Sequence, residues 1–297
     1  MKPGPVGMVG VGNIGLPILR NLLEGGYEVV AFRRTNRECI VSAGAVAAES
    51  CAEVSSRCEV IFTVLPGFDA LRSVVFAVNG LVKNAREGQI LVELSTLGIA
   101  DKVAIRDELA SRGTVMLDGA ISATPNMVVA KRGAMFVSGG ERECHNLLPI
   151  LRAILPSVYY MGGFGNAQRI KLCANHLVSV NLSAAAECLA LGRKLGIPSK
   201  NLVDALVNSG GGSVQLTARA QRMIDGEWSP AMGTNSGLKK DIDLIQEIAR
   251  EIQCPVPLLT AAARMYGDAI EKGLGDADVA SIYEVVSERA GVPPRRS

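Results

Sequence analysis

The sequence predicts an α/β fold in which a mostly parallel, doubly wound sheet is followed by an all-helical domain. Three observations predict it. Over the first half, short apolar runs bounded by turn residues alternate with helix-patterned segments, the pattern of βαβ units. From about residue 164 the β signal disappears and only helical periodicity remains. Of the 297 residues 48% are hydrophobic but only 4% are aromatic, a mix that suits parallel strands under small-residue helices better than a β-sandwich.

That length accommodates two domains, divided here as residues 1–163 and 164–297. The first element is the apolar run 6–11. "GVGNIG" follows it, and then "LPILRNLLEGG", where Ile14, Ile18, Leu19 and Leu22 have helical spacing. Gly10, Gly12 and Gly15 therefore form G-x-G-x-x-G between a strand and a helix, and a second strand, "YEVVAF", comes next. Glycine is needed for a tight turn, for close backbone approach to a pyrophosphate, and for helix–strand contact. The helix N-terminus offers free N–H groups to that anion. This half is expected to be a Rossmann-type dinucleotide-binding domain, with Asn13 and Ile14 in the same cofactor loop.

Cofactor choice is read at the end of the second strand, where an NAD-type site places a carboxylate on the ribose 2′-OH. Here the chain reads "FRRTNR", and Arg33, Arg34 and Thr35 replace the acid. Guanidiniums bind a 2′-phosphate through charge-assisted hydrogen bonds, so NADP(H) is expected over NAD(H). The alternative is an ordinary solvated basic loop. Further strands are "EVIFTVLP", "QILVELST" and "TVMLDGAIS". Ligands bind beyond the carboxyl ends of such strands, which singles out Leu65-Pro66, Ser95-Thr96 and residues 121–125.

In the second half, "NAQRIKLCANHLVSVNLSAAAECLALGRKLG" reads as one long helix stopped by Gly196 and Pro198. Segments 200–208, 214–224, 236–252 and 257–272 read as helices too. The long helix is expected to join the two halves. On it, Lys171 and Asn175 are four apart and share a face that continues through Ala174 and Val178 rather than through further charges. A lysine on so apolar a face suits a cleft, where desolvation lowers its pKa toward proton exchange with a hydroxyl or carbonyl oxygen. Asn175 is its expected hydrogen-bond partner; the alternative is a lysine snorkelling to solvent.

Several classes are excluded or unsupported. A net charge of +2 with no long basic run is no nucleic-acid footprint. No apolar stretch of about 18 residues is present to cross a membrane, and the N-terminus lacks a signal-peptide layout. Seven scattered cysteines without paired short spacings suggest reduced thiols in the cytoplasm, and two histidines, His145 and His176, make no zinc site. The "PPRRS" tail is expected to be disordered, and "NLS" at Asn181 has no secretory route to make it a glycosylation site.

The motifs "GMVGVGNIGLP", "VIFTVLP", "VELST", "DGAIS", "FGNAQRIKLCAN" and "GLKKDIDL" resemble the ordered blocks of the β-hydroxyacid dehydrogenases, which include 3-hydroxyisobutyrate dehydrogenase and tartronate semialdehyde reductase. The resemblance runs from residue 6 to about residue 288. It implies that Lys171 is the acid/base, with Asn175 beside it. Ser122, with Ala123, Thr124 and their amides, would bind the substrate carboxylate, Thr96 would meet the nicotinamide end of the cofactor, and Lys240 would lie beside the site. Lys240 alternatively is an exposed member of a Lys-Lys-Asp run. Arg33, Arg34 and Thr35 fall where NADP-using members carry "N-R-T". Departures from the pattern are Ala123-Thr124 in place of Gly-Gly, Ala120 in place of proline, and Ala174 in place of asparagine. His176 points about 100° away from Asn175 and is read as structural.

The resemblance thus implies reversible hydride transfer between NADP(H) and a small carboxylate-bearing β-hydroxy acid or its semialdehyde, in a homodimer or homotetramer. Two other readings are an imine reductase, which shares this architecture but usually lacks the lysine, and a non-catalytic NADP-binding scaffold.

Overall fold

A computed structural model describes residues 4–292; the "PPRRS" tail lies outside them. The first half contains β1 (Val6–Val9), α1 (Gly15–Glu24), β2 (Val29–Phe32), α2 (Glu38–Ser42), β3 (Val46–Ala47), α3 (Cys51–Arg57), β4 (Val60–Thr63) and α4 (Phe68–Phe76). It continues through β5 (Ile90–Glu93), α5 (Ile99–Ala110), β6 (Val115–Ser122), α6 (Pro125–Val129), β7 (Ala134–Ser138), α7 (Glu141–Asn146), α8 (Leu148–Ile154) and β8 (Val158–Tyr160). The helical half comprises α9 (Asn166–Lys194), α10 (Ser199–Val207), α11 (Val214–Asp225), α12 (Asn235–Glu251), α13 (Pro257–Ala269) and α14 (Ile282–Arg289).

The strands form one eight-stranded sheet in the order β3-β2-β1-β4-β5-β6-β7-β8, parallel except for the β6–β7 pair. It is doubly wound because its central strands are apolar on both faces. Met8, Phe62, Val92 and Leu117 enter the core under α1 and α8. Their neighbours Val9, Ile61, Leu91 and Met116 enter the opposite core, under α3, α4 and α5. Side chains alternate across a strand, so two apolar faces call for the near-continuous apolar runs seen in the sequence. The chain order reverses at β1, whose two sheet neighbours are β2 and β4. That is where such sheets open a crevice at their carboxyl ends.

The chain divides into two compact units after Lys171. The sequence placed the division at 163/164, ahead of α9. The first-turn amides of α9 hydrogen-bond to β6 and β7 within the first unit, so the helix begins there. The second unit has its own core, in which Leu182, Leu189, Tyr266, Ile282 and Tyr283 are closed off from water. Its buried Asp278 accepts from Arg219 Nε at 3.3 Å and from the backbone N–H groups of Met232 and Ala280 at 2.7 and 3.0 Å. Buried carboxylates survive only when satisfied in this way.

Three strands exceed those expected. β3 has two residues, β8 has three, and β7 is the strand that reverses direction. Runs so short carry little periodic signal, and β8 at the sheet edge alternates only between half-buried and exposed positions. No helix among the described residues is long and apolar enough to cross a membrane.

All seven cysteines are free. Burial pushes the Cys51 thiol up to about 11 and those of Cys58 and Cys144 up to about 12, which removes the reactive thiolate at neutral pH. A disulfide-exchange reagent at pH 8 should therefore modify the exposed Cys173 and Cys254 rapidly in the native protein. Cys51, Cys58 and Cys144 should react only after denaturation, and mass mapping of the labelled sites checks this.

Candidate active site

The carboxyl ends of β1, β2, β4 and β5 finish in one row. Val9 lies opposite both Phe32 and Thr63, and Thr63 lies opposite Glu93. The residues that follow each strand therefore emerge side by side, and they are Gly10, Arg33, the 64–66 segment and the 94–96 segment. The expected cofactor residues Gly10, Arg33, Leu65 and Thr96 are brought together by strand register alone.

The glycine turn has three distinct reasons for its three glycines. Gly10 has φ +96°, and a Cβ there would sit 2.1 Å from the Val64 carbonyl oxygen. A Cβ on Gly15 would sit 2.0 Å from the Gly10 carbonyl oxygen. Both positions exclude side chains for the fold itself. Gly12 is different: it is exposed, and no protein atom lies within 4 Å of where its Cβ would be. The protein does not need that glycine for packing, which leaves close approach of a ligand as its use. Beyond it, α1 opens at Ile14 with no side-chain cap and no acidic residue in its first turn. In its first turn the Leu16 N–H is taken by the Gly12 carbonyl at 2.9 Å and Pro17 has none, so the Gly15 N–H and the positive end of the helix are what the turn offers an anion. Exposed Asn13 and half-buried Ile14 complete the loop. These features fit a dinucleotide pyrophosphate.

After β2, Arg33 is half-buried and its Nη1 donates to Cys39 Sγ at 3.0 Å, while Arg34 and Thr35 are exposed. Arg37 pairs with Glu49 and lies over the Phe32 ring, so that positive charge is already answered within the protein. Neither Arg33 nor Arg34 has a carboxylate within ion-pair distance among the described residues.

The neighbouring loops are fastened to each other. The Leu65 N–H donates to Ser95 Oγ at 2.7 Å, and the Ser95 N–H donates to Glu93 Oε1 at 2.9 Å. This holds Leu65 and Pro66 beside Thr96. Ser122 ends β6, followed by Ala123 and Thr124, all half-buried. Thr124 is the N-cap of α6, its hydroxyl accepting from the Met127 N–H at 3.3 Å, with Pro125 opening the helix. That explains a threonine at this position: its hydroxyl is committed to the turn.

Lys171 and Asn175 both lie on α9, one turn apart. Lys171 is half-buried and closes the first unit. Four positions before it, the Ala167 N–H donates to Ser138 Oγ at 3.0 Å. The next amide, that of Gln168, donates to Asp118 Oδ2 at 2.9 Å. Asp118 thus caps α9 from the strand that ends in Ser122. In the second unit, Asn175 is 6% exposed and its Nδ2 donates to Asp241 Oδ2 on α12 at 2.7 Å. Asp241 was not singled out from the sequence. Lys240, half exposed, lies 3.4 Å from Asp241 Oδ1. Asn175, Asp241 and Lys240 therefore form one polar chain, with the buried carboxylate as its centre. The signal for Asp241 was present in "KKDID", where an acid one residue beyond Lys240 returns to the apolar face of the helix. No group of three or more possible metal ligands occurs among the described residues.

A family profile described as the NAD binding domain of 6-phosphogluconate dehydrogenase matches residues 5–162. A second, described as the NAD-binding of NADP-dependent 3-hydroxyisobutyrate dehydrogenase, matches residues 165–286. The chain is 28% identical to L-threonate dehydrogenase of Cupriavidus necator, over 94% of this chain and 95% of that one. It is 27% identical to mitochondrial 3-hydroxyisobutyrate dehydrogenase of Rattus norvegicus, over 96% and 87% respectively. A crystal structure of 3-hydroxyisobutyrate dehydrogenase from Salmonella typhimurium superposes with a TM-score of 0.87 at 25% identity, covering 95% of this chain and 99% of that one.

The glycines make a separable prediction. Gly12→Ala should leave the melting temperature unchanged yet weaken dinucleotide binding by about tenfold or more, because only the ligand meets the new methyl. Gly10→Ala should lower the melting temperature even without ligand. Titration of cofactor fluorescence alongside thermal melts checks both.

Proposed function

Because the chain belongs to the β-hydroxyacid dehydrogenase family, we propose that it is an NADP(H)-dependent oxidoreductase using Lys171 as its acid/base. It interconverts a small carboxylate-bearing β-hydroxy acid and the corresponding semialdehyde. The observation that carries this reading is the placement of Lys171. It is a half-buried amine whose helix is capped by Asp118, on the same strand that presents Ser122.

A nicotinamide cofactor held by the glycine turn at Gly10–Gly15, by Leu65-Pro66 and by Thr96 would supply the hydride acceptor for the carbinol carbon in oxidation and the hydride donor for the carbonyl carbon in reduction. The chain's own groups do the rest. In oxidation the Lys171 amine removes the hydroxyl proton, and in reduction its ammonium protonates the carbonyl oxygen as the alcohol forms. Ser122 and the main chain at Ala123-Thr124 hold the substrate carboxylate. Asn175, oriented by Asp241, accompanies the reacting oxygen, with Lys240 beside that carboxylate. Arg33, Arg34 and Thr35 receive a 2′-phosphate, a reading supported by the lack of an acid at the end of β2 and by two guanidiniums there with no carboxylate partner among the described residues. Self-association as a homodimer or homotetramer in the cytoplasm is part of the proposal. Exposed Leu177 and Leu191 on α9, with Leu195 just beyond its end, support self-association, and the seven free thiols suit a reducing compartment.

Lys171→Ala should lower turnover by about 10²–10⁴, the usual worth of acid–base catalysis, while NADPH still binds. Absorbance assays with a panel of C3–C5 semialdehydes, glyoxylate and imines check this, and wild-type turnover in the variant would remove the assignment. The same assay should give a higher kcat/KM with NADPH than with NADH, and Arg33→Ala/Arg34→Ala should narrow that ratio by about tenfold or more. Reduction of imines alone would instead identify an imine reductase.

A further inference from the structure

Behind the row of strand ends lies a charge cluster that the proposed mechanism does not use. Lys102 in the first turn of α5, Glu93 at the end of β5 and Asp118 on β6 are all 0% exposed. Lys102 Nζ lies 2.8 Å from Glu93 Oε2 and 2.8 Å from Asp118 Oδ1, and it donates to the Gly119 carbonyl at 3.3 Å. Burial by itself pulls this ammonium down, but the two carboxylates outweigh it and hold its pKa above the ordinary lysine value, so the charge is present at neutral pH.

Such a cluster adds little to stability compared with an apolar filling of the same shape, because desolvation consumes most of the Coulombic gain. What it does supply is direction. Each carboxylate gives one oxygen to Lys102 and turns the other toward a loop or helix end. Glu93 Oε1 takes the Ser95 N–H, and Ser95 Oγ takes the Leu65 N–H. Asp118 Oδ2 takes the Gln168 N–H and the Ser138 hydroxyl, which in turn accepts from the Ala167 N–H. Two carboxylates against one ammonium leave a net negative charge, and the amide-rich start of α9 compensates it.

We propose that Glu93, Lys102 and Asp118 are positioning residues: one buried ammonium ties the loops bearing Leu65 and Thr96 to the first turn of the helix bearing Lys171. The loop that meets the nicotinamide end and the helix that delivers the proton are thereby held in one fixed relation. This inference rests on the acid/base reading of Lys171, since otherwise the cluster would fix two segments with no shared task.

The test compares Lys102→Met, Ser138→Ala and the uncharged triple variant Glu93→Gln/Lys102→Met/Asp118→Asn with the wild type. The triple variant keeps an acceptor oxygen for the Ser95, Ser138 and Gln168 donors. Hydrogen exchange is read over segments 94–97 and 166–171, and kcat is expressed per NADPH-binding site so that unfolded protein does not count. Lys102→Met should speed exchange in both segments and lower kcat per site about tenfold or more, with NADPH affinity and KM within about threefold. The triple variant also lacks the ammonium and should keep both defects, which separates loss of the tie from the cost of two unpaired buried carboxylates; wild-type exchange and kcat per site in it would overturn the proposal. Ser138→Ala should speed exchange in 166–171 alone and lower kcat per site. Unchanged exchange in either segment of folded Lys102→Met, or a wild-type kcat per site in Ser138→Ala, would overturn the proposal. If Lys102→Met does not fold, Ser138→Ala and the triple variant decide. A wild type that binds NADPH but turns over no member of the panel would contradict the enzymatic reading, while the exchange result would still decide whether the cluster couples the two segments.

Discussion

The interaction on which the candidate site depends is the contact between a buried carboxylate and the start of a helix. Asp118 lies deep in the sheet, and one of its oxygens receives the Gln168 N–H at the head of α9. A 29-residue helix could leave the first unit in many directions, and its own sequence does not specify one. Capping by a strand residue fixes where the helix begins. Position 171 then follows from helical geometry, one turn further on. The charge of the carboxylate suits the positive end of the helix, and the Ser138 hydroxyl completes the arrangement.

The same economy runs through the cofactor side. The register of four parallel strands, set by apolar residues on both faces, delivers Gly10, Arg33, Leu65 and Thr96 to one edge. Chemistry is then added locally. An uncapped helix end offers amides, a missing acid after β2 leaves two guanidiniums available, and a serine hydroxyl joins two loops. Packing builds the platform and hydrogen bonds tune it. The β6–α6 turn adds a third layer, where Thr124 spends its hydroxyl as a helix cap.

Much of this was legible in the sequence. Strands buried on both faces announce themselves as apolar runs, and α9 to α13 were readable from periodicity with Gly and Pro stops, within about three residues at each end. The glycine turn and the half-buried position of Lys171 were legible because each breaks a local pattern: three glycines between a strand and a helix, and one charge on an apolar face. Lys102 was not. In "ADKVAIRDELASRG" it looks like one more solvated helix charge, and its two partners lie on strands 9 and 16 residues away. Asp241 carried a local signal, an acid on the apolar face of its helix, but its partner Asn175 is 66 residues away in sequence. Local pattern reveals which residues are unusual for their element, whereas a polar residue made useful by a distant partner becomes visible only in three dimensions.

The central claim is that the Lys171 amine moves the proton at the substrate oxygen, and chemical rescue tests it most directly. Turnover by the Lys171→Ala variant would be followed with NADPH and the best substrate of the panel as small primary amines are added. The account predicts that added amine restores turnover in a saturable manner and that the restored rate depends on the basicity of the amine. A variant whose rate is indifferent to every amine, or is already that of the wild type without one, would contradict it.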